Sequence, residues 1–187
     1  SSLRLILAGF AVSALAGAGI SLVLNLAPNA FAALEIAFWL LGGVENRNWN
    51  HVYLALPGGV LGSLLLVWRA RGLDALVLEE DVARSLGANL DAMRLRLAFG
   101  LALGVGSVVA VTGVIGFIGL VAPHLVRPFT GHMPSRTLVA SGLLGAIILV
   151  FADAFIRIVP TQMELKMGVV TAFLGVPMLL YLIRRAR

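Results

Sequence analysis

Long apolar runs separated by short polar stretches dominate this chain. A helix needs roughly 20 predominantly apolar residues to cross a bilayer, whereas strands of a membrane barrel alternate over about 10 residues. The runs are continuous and match the helical length. They occupy residues 3–26, 52–68, 95–115, 138–159 and 169–183. The pattern therefore predicts an all-α fold, a polytopic membrane helical bundle with about five spanning helices.

Shorter pieces lie between these runs. Residues 30–43 form an apolar stretch too short to span, which predicts an interfacial or re-entrant helix. Residues 116–129 are apolar and punctuated by glycine and proline, and residues 72–90 are a polar connection with helical character. Pro57, followed by two glycines, is expected to interrupt the run 52–68.

Composition supports the membrane prediction and excludes several other classes. The chain has 187 residues, of which 60% are hydrophobic and 12% charged, against about 25% charged in soluble domains. The absence of cysteine excludes a disulfide framework and a cysteine-based zinc site. The net charge of +5 comes from single or paired basic residues at the ends of apolar runs, so no patch for nucleic acid is predicted.

The distribution of lysine and arginine predicts the orientation. If segment ends alternate and residues 116–129 count as a crossing, 11 of the 14 basic residues share one side. These are Arg4, Arg69, Arg71, Arg84, Arg94, Arg96, Arg127, Arg136, Arg184, Arg185 and Arg187. The richer side should be cytoplasmic, which places the C-terminus there.

Glycines within two of the runs predict tight packing between helices. Small residues on one face let helix backbones approach closely in lipid, where packing replaces the hydrophobic drive. The candidates are Gly100, Gly104 and Gly106 in one run and Gly142 and Gly145 in another.

Three segments could carry a specific role. Residues 73–87 place acids before an apolar helical pattern and end on Gly87, which is typical either of an amphipathic helix that docks a partner or of an ordinary loop helix. His124 lies next to Pro123 in an apolar run and could be a ligand or proton carrier, or could simply bond a neighbouring helix. It has no second ligand at helical spacing, so no metal site is predicted.

Asp153 and Arg157 are charged residues inside a spanning run. Their i, i+4 spacing places them on one helix face with the acid first, the favourable order. Charges inside a membrane are costly and point to function. Two readings stay open: an intrahelical pair that neutralises both groups, or an outward-facing Arg157 that receives an acidic partner.

The sequence gives little support for an enzyme. The sequence contains no G-x-S-x-G elbow, no H-E-x-x-H and no G-x-x-x-x-G-K-[ST] loop. Ser141 beside Gly142 could act with His124 as an intramembrane hydrolase, but the spacing gives no support. We therefore expect no cofactor and no catalytic residue, and an ion-coupled secondary transporter is one function that remains open for such a membrane protein.

Four blocks in order resemble the FecCD-type permease family, the transmembrane subunits of type II ABC importers for siderophores, haem and cobalamin. They are GFIGLVAPHLVR at 116–127, ADAFIR at 152–157, ELKMGVVTAFLGVP at 164–177 and the segment 73–87. The resemblance covers essentially the whole chain. It implies the C-terminal half of a ten-helix permease in the bacterial inner membrane.

The resemblance also implies roles for individual residues. A cytoplasmic coupling-helix segment, residues 73–90, would dock an ABC ATPase subunit dimer through Leu76, Leu78, Glu80, Ala83, Arg84, Leu86 and Gly87. Arg157 would pair with a glutamate of a periplasmic or lipoprotein substrate-binding protein. Ser1 and Ser2 would lie near the gate of the translocation path. The structural motif positions would be Gly116, Gly119, Pro123, His124, Asp153, Gly168 and Pro177.

Departures from the family pattern are few. Glu79 replaces a usual glycine in the docking segment, and Lys166 replaces a usual proline and adds a charge near the expected binding-protein interface. The family has about ten spans, so residues 1–187 are expected to be one partial permease domain. A second permease copy and membrane lipid are then expected partners, with a path for an iron-siderophore, haem or cobalamin-type substrate formed between the copies.

Overall fold

The structure, a computed structural model, describes residues 2–68, 70–77, 80–85, 87, 89–159 and 165–185, and in these ranges it contains helices and no strand. The α-helices are α1 (Ser2–Asn25), α2 (Ala30–Leu40), α3 (Trp49–Val67), α4 (Glu80–Ser85), α5 (Leu90–Thr112), α6 (Ile118–Val126), α7 (Pro134–Ile158) and α8 (Met167–Arg185). Two 3₁₀ helices cover Ala70–Val77 and Arg127–Thr130. The predicted all-α fold is confirmed.

Four helices in the described ranges are long and apolar enough to cross a membrane. They contain Ile6–Asn25, Trp49–Val67, Leu90–Thr112 and Pro134–Ile158. The fifth predicted span corresponds to α8, whose apolar part, Met167–Leu180, is shorter, as is Ala30–Leu40. Large apolar side chains on the long helices are mostly exposed, for example Phe10 and Phe151. Such an exterior suits lipid or further protein rather than water.

The helices form two units that divide after Leu40. The first unit contains α1 and α2, which are separated by a turn at Pro28. Asn29 starts α2 because its side-chain oxygen accepts a hydrogen bond from the Ala32 N–H at 2.8 Å. The predicted short apolar helix is thus present in this unit.

In the second unit, α3 and α5 pack antiparallel through glycines. A Cβ atom on Gly62 would lie 2.7 Å from the Gly100 carbonyl oxygen, and one on Gly58 would lie 2.6 Å from the Ser107 Cβ. Position 62 thus faces 100 while position 58 faces 107, which fixes the antiparallel direction. Close approach at Gly100 confirms part of the glycine prediction, whereas Gly106 and Gly142 face open space.

The expected interruption of α3 at Pro57 is wrong. The helix continues from Trp49 to Val67 with Pro57 inside it. Proline removes one donor from the helix, but such a loss is tolerated where neighbouring helices support the backbone. Here α5 packs directly against the turn that follows Pro57.

Two ends of the second unit can be defined by their contacts. At one end, the Gly42 end, the Gly43 N–H donates to the Thr112 carbonyl at 2.8 Å and the Gly168 N–H donates to the Gly42 carbonyl at 3.2 Å. At the other, the Asp74 end, Asp74 of the first 3₁₀ helix contacts Ser135 at the start of α7. Helices α3 and α8 therefore run from the Gly42 end toward the Asp74 end, and α5 and α7 run in the opposite direction.

The piece that contains α6 connects the two ends. It leaves Thr112 at the Gly42 end and reaches Thr130, whose hydroxyl lies 2.7 Å from that of Thr137 near the Asp74 end. Helix α6 has 9 residues, which at 1.5 Å per residue gives only about 14 Å of a hydrocarbon core of roughly 30 Å. Residues 113–117 are not helical, so the connection between the two ends combines a short helix with irregular backbone.

Candidate functional site

Residues 70–87 form the connecting segment between α3 and α5 at the Asp74 end. It is two short helices, Ala70–Val77 and α4, rather than one. Gly87 has φ +83°, and its N–H donates to the Arg84 carbonyl at 2.9 Å, so it ends α4 in the left-handed conformation that glycine favours. This agrees with the sequence-based role of Gly87 as a helix stop.

One face of the connecting segment is buried against the ends of the long helices. Leu73 and Ala83 belong to a cluster with Leu90 and Met93 of α5, and Leu138 of α7 packs against it. Ala83 is fully buried, so in this arrangement it holds the segment in place and does not face a partner. The connecting segment is therefore fixed to both α5 and α7.

The other predicted docking residues lie in different positions. Arg84 is exposed on α4 and is available to a partner. Leu78 and Leu86 lie outside the described residues, as do the side chains of Leu76 and Glu80. The docking role of the segment stays a prediction.

Asp74 makes the principal polar contact of the connecting segment. Its carboxylate accepts the Ser135 N–H at 2.9 Å and the Ser135 hydroxyl at 2.8 Å. These two hydrogen bonds, and secondarily the charge of Arg136, hold the pKa of the Asp74 carboxyl below its ordinary value, although partial burial opposes the shift. Sequence analysis missed this contact. The available signal was the start of α7 at Pro134, preceded by Met133, which cannot cap a helix.

Four charged side chains gather at the Gly42 end. The Arg157 Nε donates to an Asp153 carboxylate oxygen at 2.8 Å. Lys166 pairs with Glu45, which also interacts electrostatically with Arg157. Lys166, predicted as an added outer charge, is thus held to the loop before α3. The side chain of Arg157 is 66% exposed and that of Asp153 29%, so Arg157 has an intrahelical partner and still reaches the surface.

Backbones converge beside these charges. Gly42 has φ +68°, and a Cβ there would lie 2.7 Å from the Val114 carbonyl carbon. A Cβ on Gly168 would lie 2.9 Å from the Val114 carbonyl oxygen and closer still to that of Leu41. Gly168, a predicted motif position, is therefore required for close approach of three chain segments.

The two glycines of the block 116–127 make no close approach to another segment, although Ala122 of the same block is buried. Gly116 and Gly119 both face open space. Pro123 lies within α6 and His124 is exposed on it. Phe117 instead has φ +66°, and a Cβ on Gly175 would lie 2.5 Å from its Cγ, so Gly175 makes room for a strained residue that sequence analysis missed.

Pro177 is exposed within α8. Ser1 and the side chain of Ser2 lie outside the description, and with them the predicted gate. Among the described residues, no group of three or more His, Asp or Glu side chains could hold a metal ion. Ser141 donates its hydroxyl to the Thr137 carbonyl of its own helix.

Comparison with known proteins gives consistent results. The model of the FecCD transport family matches residues 1–185. An uncharacterized ABC transporter permease protein of Bacillus subtilis is 40% identical over 184 residues, covering 98% of this chain and 52% of the relative. The hemin transport system permease protein of Yersinia pestis is 38% identical, with 98% and 55% covered. The vitamin B12 import system permease protein of Vibrio cholerae is 37% identical, with 97% and 54% covered.

A solved structure has a similar fold. It is described as a metal-chelate type ABC transporter in an inward-facing conformation, and it matches with a TM-score of 0.90 at 30% identity. The match covers 99% of this chain and 60% of the other. The chain thus spans about half the length of the curated relatives it matches.

Proposed function

Because this chain belongs to the FecCD transport family, we propose that it is part of the membrane-spanning permease of an ATP-driven importer. The observation that carries the proposal is the family match over residues 1–185. The permease performs no chemistry on its substrate. ATP is hydrolysed in a separate partner subunit, and the resulting movement alternates access to a central path.

The substrate class is an iron-siderophore, haem or cobalamin-type chelate. Support comes from the relatives, whose names specify hemin, vitamin B12 and, in two Bacillus subtilis permeases at 34% and 38% identity, Fe(3+)-citrate. A second permease copy would complete the path. The substrate-binding protein would select among chelates before they reach the membrane.

The Asp74 end faces the cytoplasm in this proposal, and the Gly42 end faces outward. The larger number of lysine and arginine residues predicted on one side of the membrane supports that orientation, which also places the C-terminus in the cytoplasm. The connecting segment then meets the ATPase subunit, and Arg157 meets the binding protein. Both surfaces expose an arginine: Arg84 at one end and Arg157 at the other.

The ion-coupled alternative has less support. Such a transporter needs ionisable groups near the middle of the membrane. In the four long apolar helices the acids are Asp91 and Asp153, both near helix ends. Asp91 lies 3.9 Å from Arg94, and Asp153 is bonded to Arg157.

A pull-down of the full-length permease with its ATPase subunit tests the docking surface. Arg84→Glu reverses an exposed charge on α4 and should weaken ATPase binding about tenfold, the equivalent of 1.4 kcal/mol. Arg47→Glu is the matched control, because Arg47 is equally an exposed arginine but lies at the Gly42 end. Equal binding by both variants would contradict the docking assignment. Failure of the unmodified permease to bind the ATPase would contradict the importer itself.

A further inference from the structure

Helix α7 begins without a cap of its own. The first N–H groups of a helix have no partner inside the helix and need an acceptor. Pro134 at the first position has no N–H, and Met133 before it makes no side-chain capping bond. The first exposed donor is therefore the Ser135 N–H.

That donor is satisfied from another part of the chain. Asp74, 61 residues earlier, accepts the Ser135 N–H with one carboxylate oxygen and the Ser135 hydroxyl with the other. A carboxylate is well suited to this place, because it carries a full charge and lies at the positive end of the helix dipole. Asp74 thus caps α7 from outside the helix. We call this pair of hydrogen bonds the Asp74 contact.

An apolar contact supports the polar one. Leu73, next to Asp74, is buried in the cluster against which Leu138 of α7 packs. Leu138 lies one turn beyond the residues that Asp74 caps. The connecting segment therefore contacts the first two turns of α7 through both a polar and an apolar interaction. Because of these two contacts, the segment and the start of α7 are expected to move together.

The remainder of α7 can carry such a movement across the molecule. It has 25 residues, about 38 Å at 1.5 Å per residue. No proline occurs after its first position, and proline is the commonest cause of a kink. Its far end bears Asp153 and Arg157.

We propose that Asp74 is a positioning residue for energy coupling: by capping α7 it makes this helix move with the connecting segment. The inference rests on the proposed function, in which the connecting segment receives the movement of the ATPase. The competing account is that Asp74 only stabilises the first turn of α7. The two accounts differ when α7 is given a cap that does not involve the connecting segment.

Met133→Asp supplies such a cap. Met133 occupies the N-cap position with φ −75° and ψ 120°, the extended conformation from which a side chain can cap its own helix. The experiment compares the intact importer in proteoliposomes with three variants: Asp74→Ala, Asp74→Ala combined with Met133→Asp, and Asp91→Ala. Asp91 is the control, an 84% exposed carboxylate in the first turn of α5 at the same end.

Three quantities are measured: ATPase binding, thermal stability and substrate transported per ATP hydrolysed. Asp74→Ala should bind the ATPase with unchanged affinity but transport about fivefold less substrate per ATP. An effect of about fivefold is at the lower end of the range that is typical of energetic coupling between two sites. Adding Met133→Asp should restore thermal stability and leave the transport ratio low. Asp91→Ala should leave the ratio unchanged.

Two results would overturn the inference while the proposed function stands. One is an unchanged ratio in Asp74→Ala with normal ATPase binding. The other is full recovery of the ratio on adding Met133→Asp, which would make Asp74 a local stabiliser. If the unmodified permease binds no ATPase, the proposed function fails and the coupling role fails with it.

Discussion

At the scale of single residues, glycines decide how closely the chain segments approach at the Gly42 end. A Cβ on Gly168 would collide with the carbonyl oxygens of Leu41 and Val114, and backbone cannot move aside as a flexible side chain can. Gly168→Ala should therefore destabilise the protein by about 1–3 kcal/mol, the usual cost of overpacking. Thermal unfolding of the detergent-solubilised permease measures the change.

Gly142→Ala is the control for that experiment. Gly142 lies in α7 with no atom near its would-be Cβ. Alanine is favoured over glycine inside a helix by about 1 kcal/mol, so this variant should be neutral or stabilised. Equal losses in both variants would show that close approach at Gly168 is not what the stability depends on.

Arg157 permits a second prediction, because its two possible roles respond differently to mutation. If Arg157 receives an acidic partner, Arg157→Glu should abolish association with the substrate-binding protein. Asp153→Asn should leave that association intact, since it removes only the charge of the intrahelical ion pair. Affinity for the binding protein in nanodiscs is the measurement. Unchanged affinity in Arg157→Glu would leave the intrahelical pair as the whole role of Arg157.

At the scale of elements, the pair α3 and α5 depends on Gly62. A Cβ there would collide with the backbone of Gly104 and lie 2.7 Å from the Gly100 carbonyl oxygen. Gly62→Val should force the helices apart and lower the yield of folded, monodisperse permease in detergent. Gly106→Val on the open side of α5 is the control and should leave the yield unchanged. Normal yield from Gly62→Val would contradict the packing described.

The Asp74 contact has a predicted pH dependence. Hydrogen bonds from Ser135 lower the pKa of Asp74, so the contact stabilises the protein fully above the unfolded pKa of about 3.9. Its contribution is lost as the pH falls through the lower folded pKa. The difference in thermal stability between the unmodified protein and Asp74→Asn should be constant from about pH 6 to 8 and shrink below about pH 4. A difference that titrates near neutral pH would point to another group.

At the scale of the whole molecule, sequence predicts what depends on local length and composition. Apolar runs locate the long helices to within a few residues, as for the run 138–159 and the observed Pro134–Ile158. The resemblance to the family, which rests on four sequence blocks in the same order, adds the prediction of a permease fold. Gly87 is also predictable, because a helix stop is a local property of the chain.

Contacts between residues far apart in the chain could not be predicted from the sequence. Asp74 and Ser135 are 61 positions apart, and Lys166 and Glu45 are 121 apart. The sequence around each of these residues does not indicate which distant residue it contacts. The continuity of α3 through Pro57 was missed for a related reason, because the support comes from α5 and not from the sequence around the proline.

The central claim is that this chain belongs to an importer driven by ATP. The most direct measurement is uptake of a radiolabelled chelate into proteoliposomes that contain the full-length permease and its ATPase. The binding protein and the chelate are added to the solution outside the vesicles. The account predicts uptake that requires ATP, stops when ATP hydrolysis is blocked, and is unaffected by collapse of the proton gradient. Uptake that continues without ATP and follows the proton gradient would contradict it.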